Sequence, residues 1–324
     1  MKRSRLLAGT WLLLAAIIFS SPVLAEEYLL LRGDLHVHSS YSHDSNVPTA
    51  QVIEESILTG YDFIALTEHN TRNHMRQDHS VDGLIVLPGY ELTLEKVHIN
   101  LFGVRSFSER IGMITKKEVT EFLEGFRNLG GLSQINHPND PRFYSRFGYD
   151  LPVDFLEVWN NAHFGEDDYK TLQDWHQMLA EGRKVYVTSG TDAHSNHLGR
   201  SPFTNVYVKE KTAEAILDGM RSGHMYITRT PYGPTIQLSF EDCIMGDTVR
   251  YTEGGVVTAT LALLAPGSTV RVYSQRGLEH ELKAVEPSMM IELPMDDRHF
   301  YRVEVWDAQG DITAITNPIF IAHN

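Results

Sequence analysis

The stretch Gly33–Asn46, GDLHVHSSYSHDSN, places three histidines and two aspartates directly after the apolar run Tyr28–Arg32, YLLLR. His36 and His38 are two residues apart, so on a β-strand both side chains leave the same face and can bind one metal ion. A single pair with this spacing is often a surface feature without a role. Its meaning depends on whether other strand-like runs of the chain end in similar residues.

Between residues 28 and 195 the chain contains seven such runs: YLLLRGDLHVH, YDFIALTEHN, LIVLPGYELT, KVHINLFGV, GLSQINHPN, VDFLEVWNN and KVYVTSGTDAHS. Several of them lack alternation of apolar and polar residues, which is typical of strands buried on both faces of a parallel sheet. Residues 48–60 and 115–131 carry apolar side chains at helical spacing. Strands that alternate with helices predict an α/β fold.

Residues that can bind metal stand at or just past the ends of most of these runs. They are His36, His38, His69, Glu91, His98, His137, Asp192 and His194, with Asp44 in the loop after the first run. In a (β/α) barrel the C-terminal ends of the strands meet at one face, where barrel enzymes assemble their sites. The pattern therefore favours a distorted seven-stranded (β/α) barrel over an open doubly wound sheet.

Each of these residues also has an ordinary interpretation. Glu91 could be a solvated charge, and His98 or His137 could be a hydrogen-bonded core residue. Six histidines and three carboxylates at one face are instead the inventory of a multinuclear metal site. Buried together without cations, they would repel one another or lack hydrogen-bond partners. We therefore expect two to three divalent ions, and these ligand types suit zinc, manganese and iron alike.

After about residue 230 the pattern of apolar and polar residues changes. Alternating runs such as VVTATLALL, TVRVYS and FYRVEVWDA are separated by turn signals such as EGG and PGS. They predict a small all-β sandwich over residues 233–324, after a barrel over residues 26–232. Tyr273, Tyr301 and Trp306 could form an aromatic binding face, although packing in the core is the favoured interpretation.

Residues 1–25 have the order of a signal peptide. Lys2, Arg3 and Arg5 precede the apolar run LLAGTWLLLAAIIF, and VLA ends at Ala25. An uncleaved anchor is the alternative, but the run is shorter than the roughly 20 residues of a membrane span. The pattern predicts an exported protein, periplasmic or extracellular, without a stable membrane anchor.

The charge of the chain limits its partners. The formal net charge is -14, so the protein repels nucleic-acid backbones and anionic membrane surfaces unless cations intervene. The single cysteine, Cys243, cannot form an internal disulfide. We expect a small-molecule substrate and no nucleic acid.

Six motifs in chain order resemble those of the PHP superfamily, named for polymerase and histidinol phosphatase: DLHVHSSYSHD, ALTEHN, PGYELT, VHINLFG, INHP and GTDAH. The leader, the NHP and DAH signatures and the β-rich tail resemble the CehA/McbA-type branch of these metallohydrolases. Amidohydrolases also begin with HxH on a barrel strand. Here, however, histidine follows the second run and glutamate the third, which fits the PHP order better.

The resemblance implies a trinuclear centre with three ligand sets. The first set is His36, His38, Glu91 and Asp192; Glu91 bridges to a second set with His98 and His137; the third set is Asp44, His69 and His194. His43 stands beside Asp44, so the identity of that ligand stays open at this point.

The resemblance also implies the chemistry. Closely spaced ions bridge and activate a water, and an exported phosphoesterase that attacks with a metal-bridging hydroxide is the first hypothesis. Glu91 and Asp192 would then act in catalysis; Arg200 could clamp a phosphate oxygen or form a surface salt bridge; His197 could protonate the leaving group or be only a loop residue. The alternatives are a carboxyl-ester or carbamate hydrolase of CehA type and a non-catalytic metal- or glycan-binding protein.

Overall fold

The computed structural model describes residues 28–143, 145–196 and 199–323. The expected signal peptide, residues 1–25, and His197 lie outside these ranges. Within them, no helix combines the length and the apolar character that a membrane crossing requires.

Each of the seven predicted runs contains a strand. The strands are β1 (Leu29–Val37), β2 (Phe63–Leu66), β3 (Ile85–Leu94), β4 (Val97–Phe102), β5 (Leu132–Ile135), β6 (Phe155–Asn160) and β7 (Tyr186–Gly190). They are hydrogen-bonded neighbours in chain order. β1, β2 and β3 pair in parallel, as do β5, β6 and β7.

β4 departs from the parallel arrangement that the buried runs suggested. It pairs antiparallel with both β3 and β5. Only Glu95 and Lys96 separate β3 from β4. A connection of two residues can join antiparallel strands but is far too short for the crossover that parallel strands need. Because no helix separates these strands, the helices are fewer than in a regular (β/α) barrel.

The sheet curls round without closing into the seven-stranded barrel that we expected. β8 (Phe203–Val208) pairs antiparallel with β1 over Leu29–Gly33 and pairs in turn with β9 (Met225–Thr228). Because β8 occupies the edge of β1 over Leu29–Gly33, only the C-terminal end of β1 is left to pair with β7. There, an isolated parallel bridge joins Val37 to Ala193, and His38 N donates to Ala193 O at 3.1 Å. A continuous ladder between β1 and β7 is thus prevented, although their C-terminal ends still meet.

Four α-helices occur in the described residues: α1 (Thr49–Thr59), α2 (Lys116–Asn128), α3 (Glu166–Ala180) and α4 (Ala213–Ser222). A short 3-10 helix covers Asn73–Arg76. α1 and α2 fall in the two segments with helical spacing. α2 starts with a capping box, in which Thr115 accepts a hydrogen bond from Glu118 N while the Glu118 side chain accepts from Thr115 N. Its apolar face packs into the core through Val119, Phe122, Leu123 and Phe126.

The remaining strands form two layers. They are β10 (Thr235–Phe240), β11 (Cys243–Ile244), β12 (Thr248–Arg250), β13 (Val256–Ala262), β14 (Thr269–Ser274), β15 (Gly277–Lys283), β16 (Met289–Pro294), β17 (Phe300–Trp306), β18 (Ile312–Thr316) and β19 (Ile319–Ala322). One sheet has the order β11-β10-β13-β16. The other contains β14, β15, β17 and β18, and β18 pairs with β9, so this layer continues the sheet of the first part. Apolar side chains of both layers share one core.

The three aromatic residues proposed as a binding face have separate surroundings. Tyr301 is buried in the core between the layers, and its hydroxyl donates to Pro294 O at 2.6 Å. The guanidinium of Arg302 lies over the ring of Tyr273, and that of Arg271 lies over Trp306. The rings therefore contribute to packing and ion–ring contacts.

Candidate metal centre

The structure brings all nine predicted ligands to the C-terminal edge of the curled sheet. Glu91 lies at the middle of this group: its carboxylate is within 4 Å of a nitrogen of five imidazole rings, those of His36, His38, His69, His98 and His137. Three ligand groups can be distinguished around it. Two of them share Glu91, and two share His38.

The first group surrounds the HxH pair of β1. Asp192 Oδ1 is 3.3 Å from His36 Nε2 and 3.2 Å from His38 Nε2. The two oxygens of Glu91 face the same nitrogens, at 3.5 Å from His36 and 3.6 Å from His38. Two imidazoles and two carboxylates thus converge, as the same-face geometry of alternate strand residues predicts.

The second group uses the other side of Glu91. Its Oε1 lies 3.2 Å from His98 Nδ1 and 3.9 Å from His137 Nε2. His98 comes from β4 and His137 from the residues after β5, which are neighbouring strands. The antiparallel β4 therefore still delivers its histidine to the centre.

The third group, which shares His38 with the first, is the most exposed. Asp44 Oδ2 lies 3.4 Å from His69 Nε2 and 3.3 Å from His194 Nε2, and these two nitrogens are 3.2 Å apart. The Asp44 side chain is 43% exposed, whereas that of Glu91 is 1% exposed. The carboxylate of Asp44 therefore lies beside the rings of His69 and His194. The neighbouring His43 contacts this group only through its ring, whose centroid is 5.3 Å from that of the His69 ring. This group forms the mouth of the centre.

The electrostatics of the innermost residues favour a cation. Burial lowers the pKa of His36, but the carboxylates of Asp192, Glu157 and Glu91 raise it well above its usual value. Burial also holds the pKa of His38 at about 4, so this ring is neutral at pH 7. Among the described residues, the Nε2 atoms of both histidines are buried without a hydrogen bond. The neutral ring of His38 offers a free lone pair, and the carboxylates that favour positive charge at His36 would equally favour a divalent ion.

Glu157, which the motif analysis missed, orients two of the ligands. Its Oε1 accepts a hydrogen bond from His36 Nδ1 at 2.9 Å, and its Oε2 accepts from His137 N at 2.9 Å and from Asn160 Nδ2 at 3.0 Å. With its Nδ1 hydrogen donated to Glu157, His36 presents Nε2 to the first group. Glu157 could have been identified from the sequence by its charge inside the apolar run VDFLEVWNN.

A second carboxylate, Glu68, supports His38 through a serine. The hydroxyl of Ser42 donates to Glu68 Oε2 at 2.6 Å. Having given its one hydrogen, the hydroxyl can only accept from His38 Nδ1, at 3.0 Å, and from His69 N, at 3.1 Å. This fixes the Nε2 atom of His38 as the free nitrogen. Asn136 adds a hydrogen bond to Glu91 Oε1 at 2.8 Å.

Backbone geometry at the centre is tight. Asp192 and His137 have positive φ, 50° and 29°, which is uncommon for residues with a side chain. Such conformations cost free energy and cluster at functional sites. Gly190 lets β7 pass close to β1, because a Cβ there would overlap His36 Cβ and lie 2.7 Å from Glu157 Oε1.

Arg200 and His197 are the other two residues that the sequence analysis assigned to catalysis. Arg200 donates to Asn196 O and, through Nη2, to Ser195 Oγ at 3.3 Å. It also lines a cavity of about 660 Å³ to which none of the nine candidate ligands contributes. Its role as a phosphate clamp therefore stays a prediction. His197, the candidate proton donor, lies outside the described residues.

Residues 34–167 match the family model of the PHP domain. Seven of the nine candidate ligands lie inside this match; Asp192 and His194 follow it. The match supports a PHP-type domain in this part of the chain. No curated protein is significantly similar to the chain.

Several solved structures are similar to the chain at low sequence identity. A two-domain protein from Bacteroides vulgatus, which contains a predicted PHP-like metal-dependent phosphoesterase, is 16% identical, with a TM-score of 0.51; the match covers 91% of this chain and 96% of that one. PsfC from Pseudomonas syringae is 19% identical over 59% of this chain and 87% of its own, with a TM-score of 0.45. The lesion-specific endonuclease PfuEndoQ from Pyrococcus furiosus is 20% identical over 62% of this chain and 58% of its own, with a TM-score of 0.44. The first of these indicates a shared two-domain fold.

Proposed function

We propose that this protein is a metal-dependent hydrolase that cleaves phosphate esters at a centre of two to three divalent ions. The observation that carries the proposal is the sharing of ligands: Glu91 belongs to two groups and His38 to two. Shared ligands hold ions close together, and adjacent ions are typical of enzymes that hydrolyse phosphate esters.

The residues of the chain fit such ions. Zinc, manganese or iron would be held by the three groups described above. In the first group, the Nε2 atoms of His36 and His38, which have no hydrogen bond, would be two of the ligand atoms. When bound, the ions supply Lewis acidity and lower the pKa of a water molecule. Glu91 and Asp192 place negative charge between the imidazoles, which balances the charge of the cations.

The exposure of the ligands sets the direction of approach. The His36 side chain is fully buried, Asp192 is 20% exposed and His194 is 29% exposed. A substrate therefore reaches the centre from the side of Asp192 and the third group. The buried side of Glu91 and Glu157 excludes water from the ligand-orienting hydrogen bonds.

Phosphate esters are the proposed substrates for two reasons. The Bacteroides vulgatus neighbour contains a predicted PHP-like metal-dependent phosphoesterase. The third group lies at the mouth, where an ion that it held would bind non-bridging oxygens of a phosphate. Carbamates and carboxyl esters are attacked by the same kind of nucleophile, so they belong in the same assay.

The test is metal content and hydrolysis measured on one sample purified without chelator. We expect two to three equivalents of metal and hydrolysis of aryl phosphates or phosphodiesters that is lost on chelation and regained with metal. Asp192→Asn and His38→Ala should each lower kcat/KM by at least about a thousandfold, while the exposed His280→Ala serves as a matched control with unchanged activity. Turnover of carbamates alone would contradict the phosphoesterase proposal, and a chain without metal would contradict the centre.

We also propose that the protein is exported after removal of residues 1–25. The basic, apolar and small-residue segments support this. Mass spectrometry of the protein from the cell envelope and medium should find Glu26 as the first residue, and an intact Met1 would contradict it.

A further inference from the structure

A cavity of about 180 Å³ adjoins the candidate metal centre on the side of the second ligand group. The candidate ligand His137 forms part of its wall. Asn160 forms another part, and its Nδ2 donates at 3.0 Å to Glu157, the carboxylate that also accepts from His36 Nδ1 and from His137 N. A group bound in this cavity would therefore lie beside the second ligand group. The volume has room for several water molecules or for a small polar part of a substrate.

The walls of this cavity are polar throughout. Ten of its eleven lining residues carry a polar or charged side chain, and the eleventh is Gly165. Asp140 and Arg142 form a bidentate pair, in which Nε and Nη2 donate to the two carboxylate oxygens at 3.1 and 2.7 Å. Asp168 caps α3 and accepts from Gly165 N at 2.8 Å and from Asn160 N at 3.1 Å. Such walls favour a ligand that forms hydrogen bonds, because covering them with an apolar group would cost free energy.

Two side chains of the wall have no hydrogen-bond partner within the described residues. They are the carboxylate of Asp167, in the first turn of α3, and the imidazole of His163, between β6 and α3. Burial and the carboxylates of Asp140 and Glu166 raise the pKa of Asp167 above its usual value. Because Asp140 lines the same cavity, a ligand that donates hydrogen bonds would relieve this repulsion.

His137 adds a buried nitrogen without a partner. Its side chain is 5% exposed, and its Nε2 lies 3.9 Å from Glu91 Oε1 in the second group. Its Nδ1 is buried and has no hydrogen bond among the described residues. When Nε2 binds an ion, the neutral ring carries its hydrogen on Nδ1, which then needs an acceptor. Since His137 lines the cavity, an acceptor bound there would satisfy this hydrogen.

We propose that this cavity binds a hydroxyl-bearing part of the substrate, so that the substrates are phosphate esters of polyols or sugars. The inference rests on the proposed function and adds the substrate class. A hydroxyl can accept from His137 Nδ1 and donate to a carboxylate such as that of Asp167, whereas an ammonium group can only donate. Asp167 and His163 are specificity-determining residues in this proposal, because they would contact the hydroxyls and not the reacting atoms.

The test uses three phosphonates that are not hydrolysed, on the metal-loaded full-length protein: 3,4-dihydroxybutylphosphonate, butylphosphonate and 4-aminobutylphosphonate. The first two differ only in two hydroxyl groups. Titration calorimetry should show the dihydroxy probe binding at least about tenfold more tightly than the butyl probe, because it gains two hydrogen bonds. It should also bind more tightly than the amino probe, because an ammonium leaves His137 Nδ1 without an acceptor.

Two variants and two matched controls locate the effect. Asp167→Ala and His163→Ala each remove one hydrogen-bond partner of the hydroxyls. Each should reduce the preference for the dihydroxy probe over the butyl probe by about three- to tenfold and leave binding of the butyl probe unchanged. Glu166→Ala removes the neighbouring carboxylate of the same helix turn, and His280→Ala removes an exposed histidine of β15. Neither of these residues lines the cavity, and neither variant should alter the preference.

Hydrolysis assays on the same samples separate this inference from the proposed function. A preference for the dihydroxy probe that depends on Asp167 and His163, in a protein that hydrolyses no ester, would uphold the hydroxyl site and refute the hydrolase. Hydrolysis together with equal binding of the dihydroxy and butyl probes, or a preference that both variants keep, would overturn the hydroxyl site. An amino probe that binds as tightly as the dihydroxy probe would overturn the hydroxyl assignment, and so would a protein that binds none of the three probes.

Discussion

At the scale of single residues, the candidate centre depends on which nitrogen of each histidine carries hydrogen. Glu157 and the Glu68–Ser42 pair take the Nδ1 hydrogens of His36 and His38, so that both Nε2 atoms face the centre. These supporting carboxylates bind no substrate in the proposal. They act through the rings that they orient.

The first prediction concerns Glu157. Glu157→Gln replaces one carboxylate oxygen by a donor, so the hydrogen bond to His36 Nδ1 or to His137 N is lost. We expect metal affinity to fall by about 10- to 100-fold, as for other supporting residues of metal sites. Competition with a chromophoric chelator measures it, with the exposed Glu292→Gln in β16 as the control. Equal affinities in the two variants would contradict the role of Glu157.

The second prediction concerns pH and His74, a buried histidine outside the candidate centre. Its Nε2 donates to Gly89 O at 2.9 Å, and burial lowers its pKa to about 4. The unfolded chain binds a proton near pH 6.5 and the folded chain does not, so this residue destabilises the fold progressively as pH falls from about 6.5 to 4.

The size of this effect is at most about 3 kcal/mol, reached at and below pH 4, and it is absent above pH 7. Urea unfolding of the metal-free protein at several pH values measures it. His74→Gln keeps a donor for the carbonyl but does not titrate, so its stability should depend less on pH in this window. Parallel pH profiles of wild type and variant would contradict the assignment.

At the scale of elements, the centre requires β1 and β7 to approach closely at their C-terminal ends. Gly190 permits this approach, since any Cβ there would meet His36 and Glu157. The strands meet only at this end because β8 occupies the rest of the β1 edge.

The third prediction is that Gly190→Ala separates β7 from β1. We expect stability to fall by about 2 kcal/mol or more, and metal binding to weaken because His36 and Asp192 move apart. Gly125→Ala in α2 is the matched control: nothing lies within 4 Å of its Cβ position, and alanine favours a helix by about 1 kcal/mol. Denaturant unfolding and metal titration of both variants measure stability and metal affinity. A Gly190→Ala variant with the stability and metal affinity of the wild type would contradict the close approach of β7 to β1.

At the scale of the whole molecule, a buried arginine of the second part contacts a helix of the first part. Arg302 in β17 is 2% exposed; its Nη1 donates to Glu304 Oε1 at 2.6 Å, and its Nε donates to His176 Nδ1 of α3 at 3.3 Å. Its guanidinium also lies between the rings of Trp175 and Tyr273, with centroid distances of 5.1 and 4.3 Å. The C-terminal sheet is thereby held against a helix of the first part.

The fourth prediction is that Arg302→Met costs about 3 to 5 kcal/mol, because Glu304 is left buried without its partner. The double variant Arg302→Met with Glu304→Gln should recover part of this loss, since no unpaired charge remains. Thermal unfolding measures both variants, and the exposed Arg250→Met in β12 provides the control. A double variant no more stable than Arg302→Met would contradict the ion-pair explanation.

The sequence alone was sufficient for the seven strand-like runs and for the gathering of the ligand residues at one edge. The reason is local: buried strands need apolar runs, and alternate residues of a strand share a face, so the HxH spacing predicts that His36 and His38 face the same side. The DAH motif differs, because Asp192 and His194 lie past the end of β7 and Asp192 has a positive φ. The β-rich texture of the last ninety or so residues was visible in the same way.

Tertiary structure decided what depends on contacts distant in sequence. No local pattern encodes the antiparallel pairing of β4 or the pairing of β8 with the edge of β1. The same holds for the hydrogen bonds of Glu157 and Glu68, whose partners are distant in the sequence. The cavity that Arg200 lines likewise requires Leu58 of α1 and Tyr232, before β10, to meet across more than 170 residues of chain. Local patterns specify which residues are buried and which face they share; only the packing of the strands and helices determines which partners they find.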